Sequence, residues 1–380
     1  MEAGRTIVHV NGSSGKAESY CCSRSGPKAA TLCQLSLSDL QAADFGAMRD
    51  RGFQRFGNFV RCTNQLVSCC PQFIMRVDVI DFKHSKSQKK LLRRWQQFID
   101  GVRDPEDDGT MDEEMMHKHD GKSDAKEVPK KQGKKRKFEM KMEEPMYSKA
   151  KGDLMRKYTG YGEGMLANLW CKKGVSKSVL KNGDNELELG SKHLCYYIDD
   201  ELIGCAVVDV LPTMITSLYF FYDPYYKRYG FGILSVLKEI EYVKTHSVHF
   251  PEFRYENLGL FSPTHHAMIY KSQFKPYQLL CPFSMTYVTS DGHPQREKHG
   301  DNRLCSENID KKNNNHEFDD IKDMRVYVSD KCQIDIEGTM MMIRDLPDKL
   351  KTQILVYMEG YFMAVGKALA PKLLLRIDDD

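Results

Sequence analysis

The chain lacks the features that mark membrane and secreted proteins. No apolar run approaches the roughly 18–20 residues that a membrane-spanning helix needs. The opening Met-Glu-Ala-Gly-Arg lacks the basic-then-apolar layout of a secretory signal. We therefore expect a cytosolic or nuclear protein with no membrane partner. In such a compartment its 12 cysteines are thiols or metal ligands rather than disulfides.

A strong net charge and the common hydrolase motifs are also absent. The formal net charge is +3, so only local patches could bind a nucleic acid. The sequence contains no Ser–His–Asp order, no metalloprotease helix motif, no Walker loop and no internal repeat. With 380 residues, 41% of them hydrophobic, the chain is long enough for two or three domains with linkers.

Composition divides the chain into folded and charged stretches. Half of the residues in 101–150 are charged, and the stretch has only Phe138 and Tyr147 as aromatic residues. Such a segment cannot bury enough apolar surface to become ordered. We predict six segments: a flexible N-terminus at 1–18, a cysteine-rich domain at 19–100, a disordered charged linker at 101–150, the main domain at 151–290, a disordered insertion at 291–322, and a strand and helix at 323–380 that complete the main domain.

Hydrophobic patterns predict an antiparallel meander followed by a helix in the main domain. Apolar runs and caps predict further elements on either side of it. The predicted strands are 73–80, 193–198, 202–210, 215–222 and 326–328, and the predicted helices begin at Ser38, at Ser85 or Ser87, at Phe231 and at Leu346, the last reaching about Leu374.

A glycine-bearing turn joins the last meander strand to its helix. Lys227, two spacers, Gly230 and Gly232 have the spacing of the [Gln/Arg/Lys]-x-x-Gly-x-Gly/Ala loop of the GNAT acyltransferase fold. Such a junction directs backbone N–H groups and the positive end of a helix dipole at one spot, which suits a phosphate or a developing oxyanion. A tight turn without a ligand explains the same pattern.

Two basic segments are candidates for contacts with phosphates. The helix near Ser85 carries Lys89, Lys90 and Arg93 on its polar face, and a second basic run covers 130–137. A solvated helix face and a disordered charged tract are the alternatives. The second run also resembles a nuclear-localisation signal.

Five cysteines in the N-terminal part are candidate metal ligands. Thiolates suit zinc or an iron–sulfur cluster. The usual Cys-x-x-Cys knuckle is missing, so buried cysteines without a ligand are the alternative. The candidates are Cys21, Cys22, Cys33, Cys69 and Cys70, with Cys62 and His84 as possible additions.

Several motifs together resemble those of the arginyl-tRNA–protein transferases, the eukaryotic N-end-rule aminoacyltransferases. They cover about half of the chain, in the family's order. The matching pieces are Ser19-Tyr-Cys-Cys22, Asp50-Arg-Gly-Phe53, Cys69-Cys-Pro-Gln72, Gly190-Ser-Lys-His193, Val207-Val-Asp-Val-Leu-Pro212, Ser217 to Pro224, and Tyr270-Lys271 leading to Leu279-Leu-Cys-Pro282. The chain departs from the family pattern at Glu18, where the family has the first cysteine, at Lys192 and Leu194 beside the retained histidine, and at 262–269, which lacks Lys and Arg.

The resemblance implies an α+β fold with a GNAT-like acyltransferase domain, in which helices flank a mixed sheet, and a cysteine-rich domain that binds zinc or an iron–sulfur cluster. No organic cofactor is implied. The implied activity is the transfer of arginine from arginyl-tRNA to protein N-termini that begin with Asp, Glu or oxidised Cys, which marks the product for ubiquitin-dependent degradation. An acetyl-CoA-dependent N-acetyltransferase and an inactive metal-binding scaffold are the alternatives.

For this reaction we assign candidate side chains to three tasks. Asp209 and His193 would orient the amine and relay its proton, and Tyr222 and Asp223 would bind the adenosine end. Each of the four could instead be an ordinary strand or turn residue. The acceptor-binding candidates are Tyr270 and Lys271, a lysine that could equally be solvated, and the donor-binding candidates are Lys227, Arg228, Gly230, Gly232, Lys89, Lys90 and Arg93.

Overall fold

In the computed structural model, the described part of the chain forms two β-sheets with α-helices packed against them. The described residues are 6–10, 31–63, 72–102, 133–160, 164, 166–171, 174–263, 265–281, 285–290, 325–328, 340–342, 345–346, 365 and 373–377. Among the helices in these ranges, none has the length and hydropathy that crossing a membrane requires.

Strands outnumber helices among these residues. The strands are β1 (Ile7–Val10), β2 (Thr31–Ser38), β3 (Gln54–Phe56), β4 (Phe59–Thr63), β5 (Phe73–Asp78), β6 (Phe138–Glu143), β7 (Ser178–Asn182), β8 (Asn185–Ile198), β9 (Glu201–Val210), β10 (Met214–Tyr222), β11 (Tyr255–Phe261), β12 (Tyr277–Leu280), β13 (Tyr287–Thr289), β14 (Arg325–Val328), β15 (Met340–Met342) and β16 (Leu374–Ile377). The α-helices are α1 (Ala42–Arg49), α2 (Lys86–Ile99), α3 (Lys149–Thr159), α4 (Phe231–Ser247) and α5 (His266–Ile269), and a π-helical turn covers Leu166–Trp170.

The larger sheet has the order β13-β12-β5-β11-β10-β9-β8-β6, with β7 paired to the first part of β8. Strands β8, β9 and β10 form the predicted antiparallel meander. The turn between β8 and β9 holds Asp199 and Asp200 at positive φ, a conformation that Asp tolerates better than most residues. After β10 the chain passes through α4 and returns as β11, parallel to β10. A mixed sheet flanked by helices confirms the predicted α+β class.

The N-terminal part of the chain supplies an internal strand of this sheet. Strand β5 lies between β11 and β12 and is antiparallel to both. The predicted domain boundary at residue 100 is therefore wrong as a structural division. Periodicity in the sequence identifies β5 as a strand, but it does not name the strand's partner.

The C-terminal strands belong to the smaller sheet, whose order is β15-β14-β16-β1-β2-β4-β3. Strand β14 confirms the strand predicted at 326–328, but it pairs with β15 and β16 and does not complete the larger sheet. Most of the helix predicted at 346–374 lies outside the described residues. Leu374 itself begins β16, which pairs in parallel with β1.

The disordered linker predicted at 101–150 is too long at its C-terminal end. Strand β6 pairs with β8 over six residues, and α3 begins after the cap at Ser148. The alternating Phe138, Met140 and Met142 pack against the core, so this stretch has enough apolar surface to form an edge strand. Residues 103–132 of the predicted linker lie outside the described residues.

Helix α2 confirms the predicted basic amphipathic helix. The Ser85 side chain caps it and forms a capping box with Gln88. Leu91, Trp95 and Phe98 are buried against the larger sheet and α4. In contrast, the helix predicted from Ser38 begins only at Ala42, because Ser38 is the last residue of β2.

Candidate active site and basic surface

Asp209 lies in a buried ion pair that joins the two sheets. Its carboxylate on β9 accepts hydrogen bonds from Nε and Nη2 of Arg55 on β3, both at 2.7 Å, and from the Ser191 hydroxyl at 2.5 Å. Side-chain exposure is 2% for Arg55 and 0% for Asp209. A bidentate pair of this kind has well-defined geometry and leaves the carboxylate no open side. The geometry favours the alternative for Asp209, a structural carboxylate, and its contact with a substrate amine stays a prediction.

A row of polar side chains extends from this ion pair across one face of the larger sheet. Ser191, Asp209, Thr216, Asn257 and Arg76 occupy one register position on five successive strands. The guanidinium of Arg49 on α1 donates to Asn257, as that of Arg55 does to Asp209. The layer that contains α1 and β3 is therefore held on the larger sheet by charged hydrogen bonds.

His193 lies on the same face of the sheet, away from solvent. It is fully buried, its Nε2 lies 3.3 Å from the carbonyl oxygen of Trp170, and its Nδ1 has no hydrogen-bond partner among the described residues. Burial, together with the positive charge of Lys151, lowers the pKa of His193 to about 4. An imidazole with that pKa is neutral and weakly basic at pH 7. This favours an ordinary strand histidine, and the predicted proton relay gains no support from the geometry.

Tyr222 and Asp223 end β10 and lead into the glycine turn. The buried Tyr222 ring lies 5.5 Å from the Phe231 ring, between centroids. Asp223 caps the 3₁₀ turn Pro224–Tyr229 by accepting a hydrogen bond from the Tyr225 N–H at 2.9 Å, and it pairs with Lys157. Both residues shape the turn, and their binding of an adenosine end stays a prediction.

Gly230 is required by its backbone conformation and by its neighbour. Its φ of 65° is left-handed, and it separates the 3₁₀ turn from α4. A Cβ at this position would lie 2.6 Å from Cδ1 of Leu91 on α2, so a side chain meets both strain and a clash. Gly232 lies in the first turn of α4, where helix N–H groups lack intrahelical acceptors. The structure thus gives Gly230 a packing role, and binding of an anion at this turn stays a prediction.

Three basic segments that are distant in sequence meet around α2. The contact of Leu91 with Gly230 places α2 beside Lys227 and Arg228. At the other end of α2, the Arg136 backbone N–H donates to the Ile99 carbonyl and its guanidinium to the Phe98 carbonyl, both at 2.7 Å. We call the result the α2 surface. Its basic residues are Lys86, Lys89, Lys90, Arg93, Arg94, Lys134, Lys135, Arg136, Lys227 and Arg228.

The parallel pairing of β10 and β11 is short, and we call the region between the two strands beyond it the fork. Met214–Thr216 pairs with Tyr255–Asn257. Beyond that, β10 shifts register against β9 after Ser217, and β11 shifts against β5 before Gly259. The fork opens at the carboxyl ends of both strands, the end at which β10 enters the glycine turn. In α/β sheets this end is where ligands commonly bind.

Lys271 lies on the β11 side of the fork. Its ammonium donates to the carbonyl oxygens of Leu258 and Leu260, both at 2.7 Å. The carbonyls of alternate residues point to the same edge of a strand. The Lys271 ammonium therefore supplies these carbonyls with the hydrogen-bond donors that a neighbouring strand would otherwise supply. Burial, with the nearby charge of Arg49, lowers the pKa of Lys271 to about 8. The ammonium is engaged within the protein, in contrast to the solvated lysine considered from the sequence. Its binding of an acceptor, like that of the half-buried Tyr270, stays a prediction.

A pair of buried glutamates, missed by the sequence analysis, lies between α4 and the sheet near the fork. Glu239 of α4 is 1% exposed and Glu256 of β11 is 0% exposed. None of their four carboxylate oxygens has a hydrogen-bond donor among the described groups. Burial raises the pKa of Glu239 to about 7, and burial with the charge of Glu239 raises the pKa of Glu256 well above its usual range. The two carboxyls therefore share a proton that Glu256 holds more strongly.

A sequence signal for this pair exists. Glu239 follows Val236 and Leu237 and precedes Ile240 on the apolar face of α4. Glu256 likewise lies in a strand whose neighbouring residues are mostly buried. A charged residue at a core position is rare unless it has a partner, so each glutamate could have been singled out, although not as one of a pair.

Two family models match this chain. The model of the arginine-tRNA-protein transferase C terminus matches residues 88–281, about half of the chain, and the model of the N terminus matches residues 19–90. The chain belongs to the arginyl-tRNA–protein transferase family. The fork, the glycine turn and the buried glutamates of this family member all lie within the range of the C-terminal model.

Relatives of this family member match parts of it. Arginyl-tRNA–protein transferase 1 of Drosophila melanogaster is 39% identical over 97 residues, which is 26% of this chain and 20% of that protein. The Saccharomyces cerevisiae protein of the same name is 24% identical over 62% of this chain and 48% of its own length. Aspartate/glutamate leucyltransferase of Helicobacter hepaticus is 22% identical over 70% of this chain and 90% of its own length. The chain thus spans half or less of the Drosophila and yeast proteins.

Among solved structures, that of L-PGS from Bacillus licheniformis aligns with 55% of the chain and 58% of its own, at 11% identity. The TM-score of 0.29 is too low to define the fold.

The predicted metal ligands of this family member are mostly beyond the described residues. Cys21, Cys22, Cys69 and Cys70 lie outside them, and Cys33 is placed only as a backbone position on β2, opposite Cys62 on β4. Burial raises the pKa of the Cys62 thiol to about 12. Within the described ranges no group of three His, Cys, Asp or Glu side chains could hold a metal. The zinc or iron–sulfur centre stays a prediction.

Proposed function

We propose that this protein transfers arginine from arginyl-tRNA to the α-amine of proteins whose N-terminus is Asp, Glu or oxidised Cys, which directs them to ubiquitin-dependent degradation. Membership of the transferase family is the observation that carries the proposal. Its acyl donor is an ester that is already activated, so the protein needs chiefly to position the amine against the ester carbonyl.

The arrangement of the larger sheet supports a GNAT-like acyltransferase site for this reaction. An antiparallel meander leads through a glycine turn into α4 and back to a parallel strand that pairs with β10 only over Tyr255–Asn257. Beyond this pairing, backbone groups of the two strands that do not pair with each other can hold an extended aminoacyl end. In this proposal the acceptor amine and the ester meet in the fork, and the N–H groups at the start of α4 face the donor.

The α2 surface supports the tRNA part of the proposal. It borders the glycine turn, and α2 itself contains five basic residues and no acidic one. Exposed lysines and arginines that neutralise phosphates supply most of the affinity for a nucleic acid without reading its sequence. Exposed Tyr225, which stacks with Arg228, offers an aromatic face beside this surface to an unpaired base.

The test is a transfer assay with the purified full chain, labelled arginyl-tRNA and a peptide that begins with Asp. The same peptide with a blocked α-amine, and one that begins with Gly, are the matched controls. We expect label on the Asp peptide alone, in a reaction that needs intact tRNA. Label on no peptide, or saturable binding of acetyl-CoA with acetylation of the peptide, would contradict the proposal and favour an inactive scaffold or an acetyltransferase.

A further inference from the structure

We propose that Glu239 and Glu256 form one proton-holding pair that serves the transfer step through the hydroxyl of Ser217. The inference deepens the proposed function and rests on it. Both glutamates act through Ser217 and do not touch the substrate, so they are positioning residues.

The pair is isolated from solvent but adjoins the fork at one point. Ser217 is the first residue of β10 beyond its parallel pairing with β11. On β10 it alternates with Thr216, so its side chain projects to the face that Ile215 and Glu256 share. Its hydroxyl is close enough to favour the ionised form of the Glu239 carboxyl, although it makes no hydrogen bond to that carboxyl in the described structure. Ser217 is half-buried, whereas both glutamates are fully buried.

The surroundings of the pair set its charge. The positive charge of Lys271, at the fork, favours the ionised form of Glu256. The charges of both carboxyls raise the pKa of Tyr196 on β8. The Tyr196 hydroxyl is engaged with the Ser235 carbonyl at 3.4 Å. One proton on the pair leaves a single negative charge opposite the Lys271 ammonium. Removing that proton would leave two buried negative charges in contact, which is costly.

The transfer step takes one proton from the amine and gives one to the ribose oxygen. The acceptor amine attacks the ester carbonyl, the C–N bond forms, and the C–O bond to the ribose breaks with its electron pair on the ribose oxygen. The amine nitrogen loses a proton, which passes through Ser217 to the singly protonated pair. The pair then returns a proton to the departing ribose oxygen. It ends in its starting state, and no oxidant or cofactor is needed.

The matched variants are Glu239→Gln, Ser217→Ala and Glu241→Gln. Glu241 lies on the same helix two residues from Glu239, but it is exposed and pairs with Lys238. In single-turnover transfer of arginine at pH 7, we expect Glu239→Gln to be slower by about a hundredfold with unchanged affinity for arginyl-tRNA. The transfer rate of wild type should fall below pH 7, and the rate of Glu239→Gln should not show this fall. Ser217→Ala should be slow in the same way, and Glu241→Gln should match wild type.

A second measurement does not depend on activity. Infrared difference spectra should show a protonated carboxyl in wild type and in Ser217→Ala at pH 6, and the band should vanish in Glu239→Gln or shift from its wild-type position. A wild type without this band overturns the inference, as does Glu239→Gln with the wild-type rate and pH profile. If wild type carries the band but transfers no arginine, the proposed function fails and the relay fails with it. If wild type transfers arginine and only the relay readouts are negative, the relay alone fails.

Discussion

At the scale of single residues, two buried pairs of ionisable side chains represent different classes. Arg55 and Asp209 satisfy each other with two hydrogen bonds, whereas Glu239 and Glu256 are two acidic groups that share one proton. The first class fixes geometry, because a well-paired buried charge is costly to disturb. The second class stores a proton, because the pair cannot ionise twice.

We predict that Arg55→Ala lowers the free energy of unfolding by about 3–5 kcal/mol, since it leaves the Asp209 carboxylate buried without its cation. Chemical denaturation measures the change. Arg61→Ala on the adjacent strand is the control, since Arg61 is half-buried and contacts the Phe56 ring. Equal effects of the two substitutions would show that the ion pair does not join the sheets. Asp209→Asn in the Arg55→Ala background should recover part of the loss.

The pKa of Glu239 predicts how stability depends on pH. Its folded pKa, about 7, lies above the usual 4.5, so the native state binds more protons than the unfolded chain between these values. The stabilisation is complete below the usual pKa and is lost as pH rises through 7. Glu239→Gln removes this dependence, so its stability relative to wild type should rise by about 3 kcal/mol between pH 4 and pH 8. Unfolding curves at pH 4 and pH 8 measure the free energy of unfolding of both proteins. In the control Glu241→Gln, the change between the two pH values should equal that of wild type.

At the scale of elements, α2 and the glycine turn form one unit. Leu91 packs on Gly230, and the Trp95 ring lies 5.4 Å from that of Phe231, between centroids. A helix from the N-terminal half thereby fixes the entry to α4. The basic face of α2 is consequently held at a constant place beside the turn.

We predict that Gly230→Ala destabilises the protein more than Gly183→Ala. Both glycines have positive φ, which should cost an alanine about 1–2 kcal/mol. Only Gly230 has a neighbour in the way, because nothing lies within 4 Å of a Cβ at Gly183. Adding Leu91→Ala should therefore relieve part of the defect of Gly230→Ala but none of that of Gly183→Ala. Additive double mutants would show that Leu91 and Gly230 are not coupled.

The α2 surface gives a prediction about salt. Replacing Lys89, Lys90 and Arg93 with Gln should weaken binding of uncharged tRNA and reduce the dependence of log Kd on log salt by up to about 3. The control replaces Lys177 and Lys181, which pair with glutamates near β7. Filter binding at several salt concentrations measures both. An unchanged slope in the triple variant would place the tRNA on another surface.

At the scale of the whole molecule, each of the two sheets combines strands from distant parts of the chain. Strand β5 comes from the N-terminal part and pairs between β11 and β12. Strand β16, near the C-terminus, pairs with β1. Neither sheet can therefore form from a single continuous half of the chain.

This arrangement predicts the behaviour of fragments. Residues 133–290 lack β5, so β11 and β12 lose their shared neighbour and α4 loses the cover of α2. We expect this fragment to show no cooperative thermal unfolding by circular dichroism, whereas 72–290, which restores both elements, should regain cooperativity. A cooperative transition in 133–290 would mean that β5 is dispensable for the larger sheet.

Local patterns predicted most elements well and the site only in part. The strands of the meander, α4 and α2 with its cap at Ser85 follow from periodicity and capping, which depend on near neighbours in the chain. The failures are of another kind. Composition placed residues 138–150 in a disordered linker, although the alternation from Phe138 to Met142 could have indicated an edge strand. The residues chosen for catalysis, Asp209 and His193, prove to be buried.

The sequence by itself determined the family, the α+β class, and the strand–turn–helix unit that contains Gly230, because these depend on motifs and on local hydrophobic patterns. Only the tertiary structure decided where β5 pairs, that three basic segments meet around α2, and that Glu239 contacts Glu256. Each of those facts joins residues far apart in the chain, and their partners are set by burial and register in three dimensions.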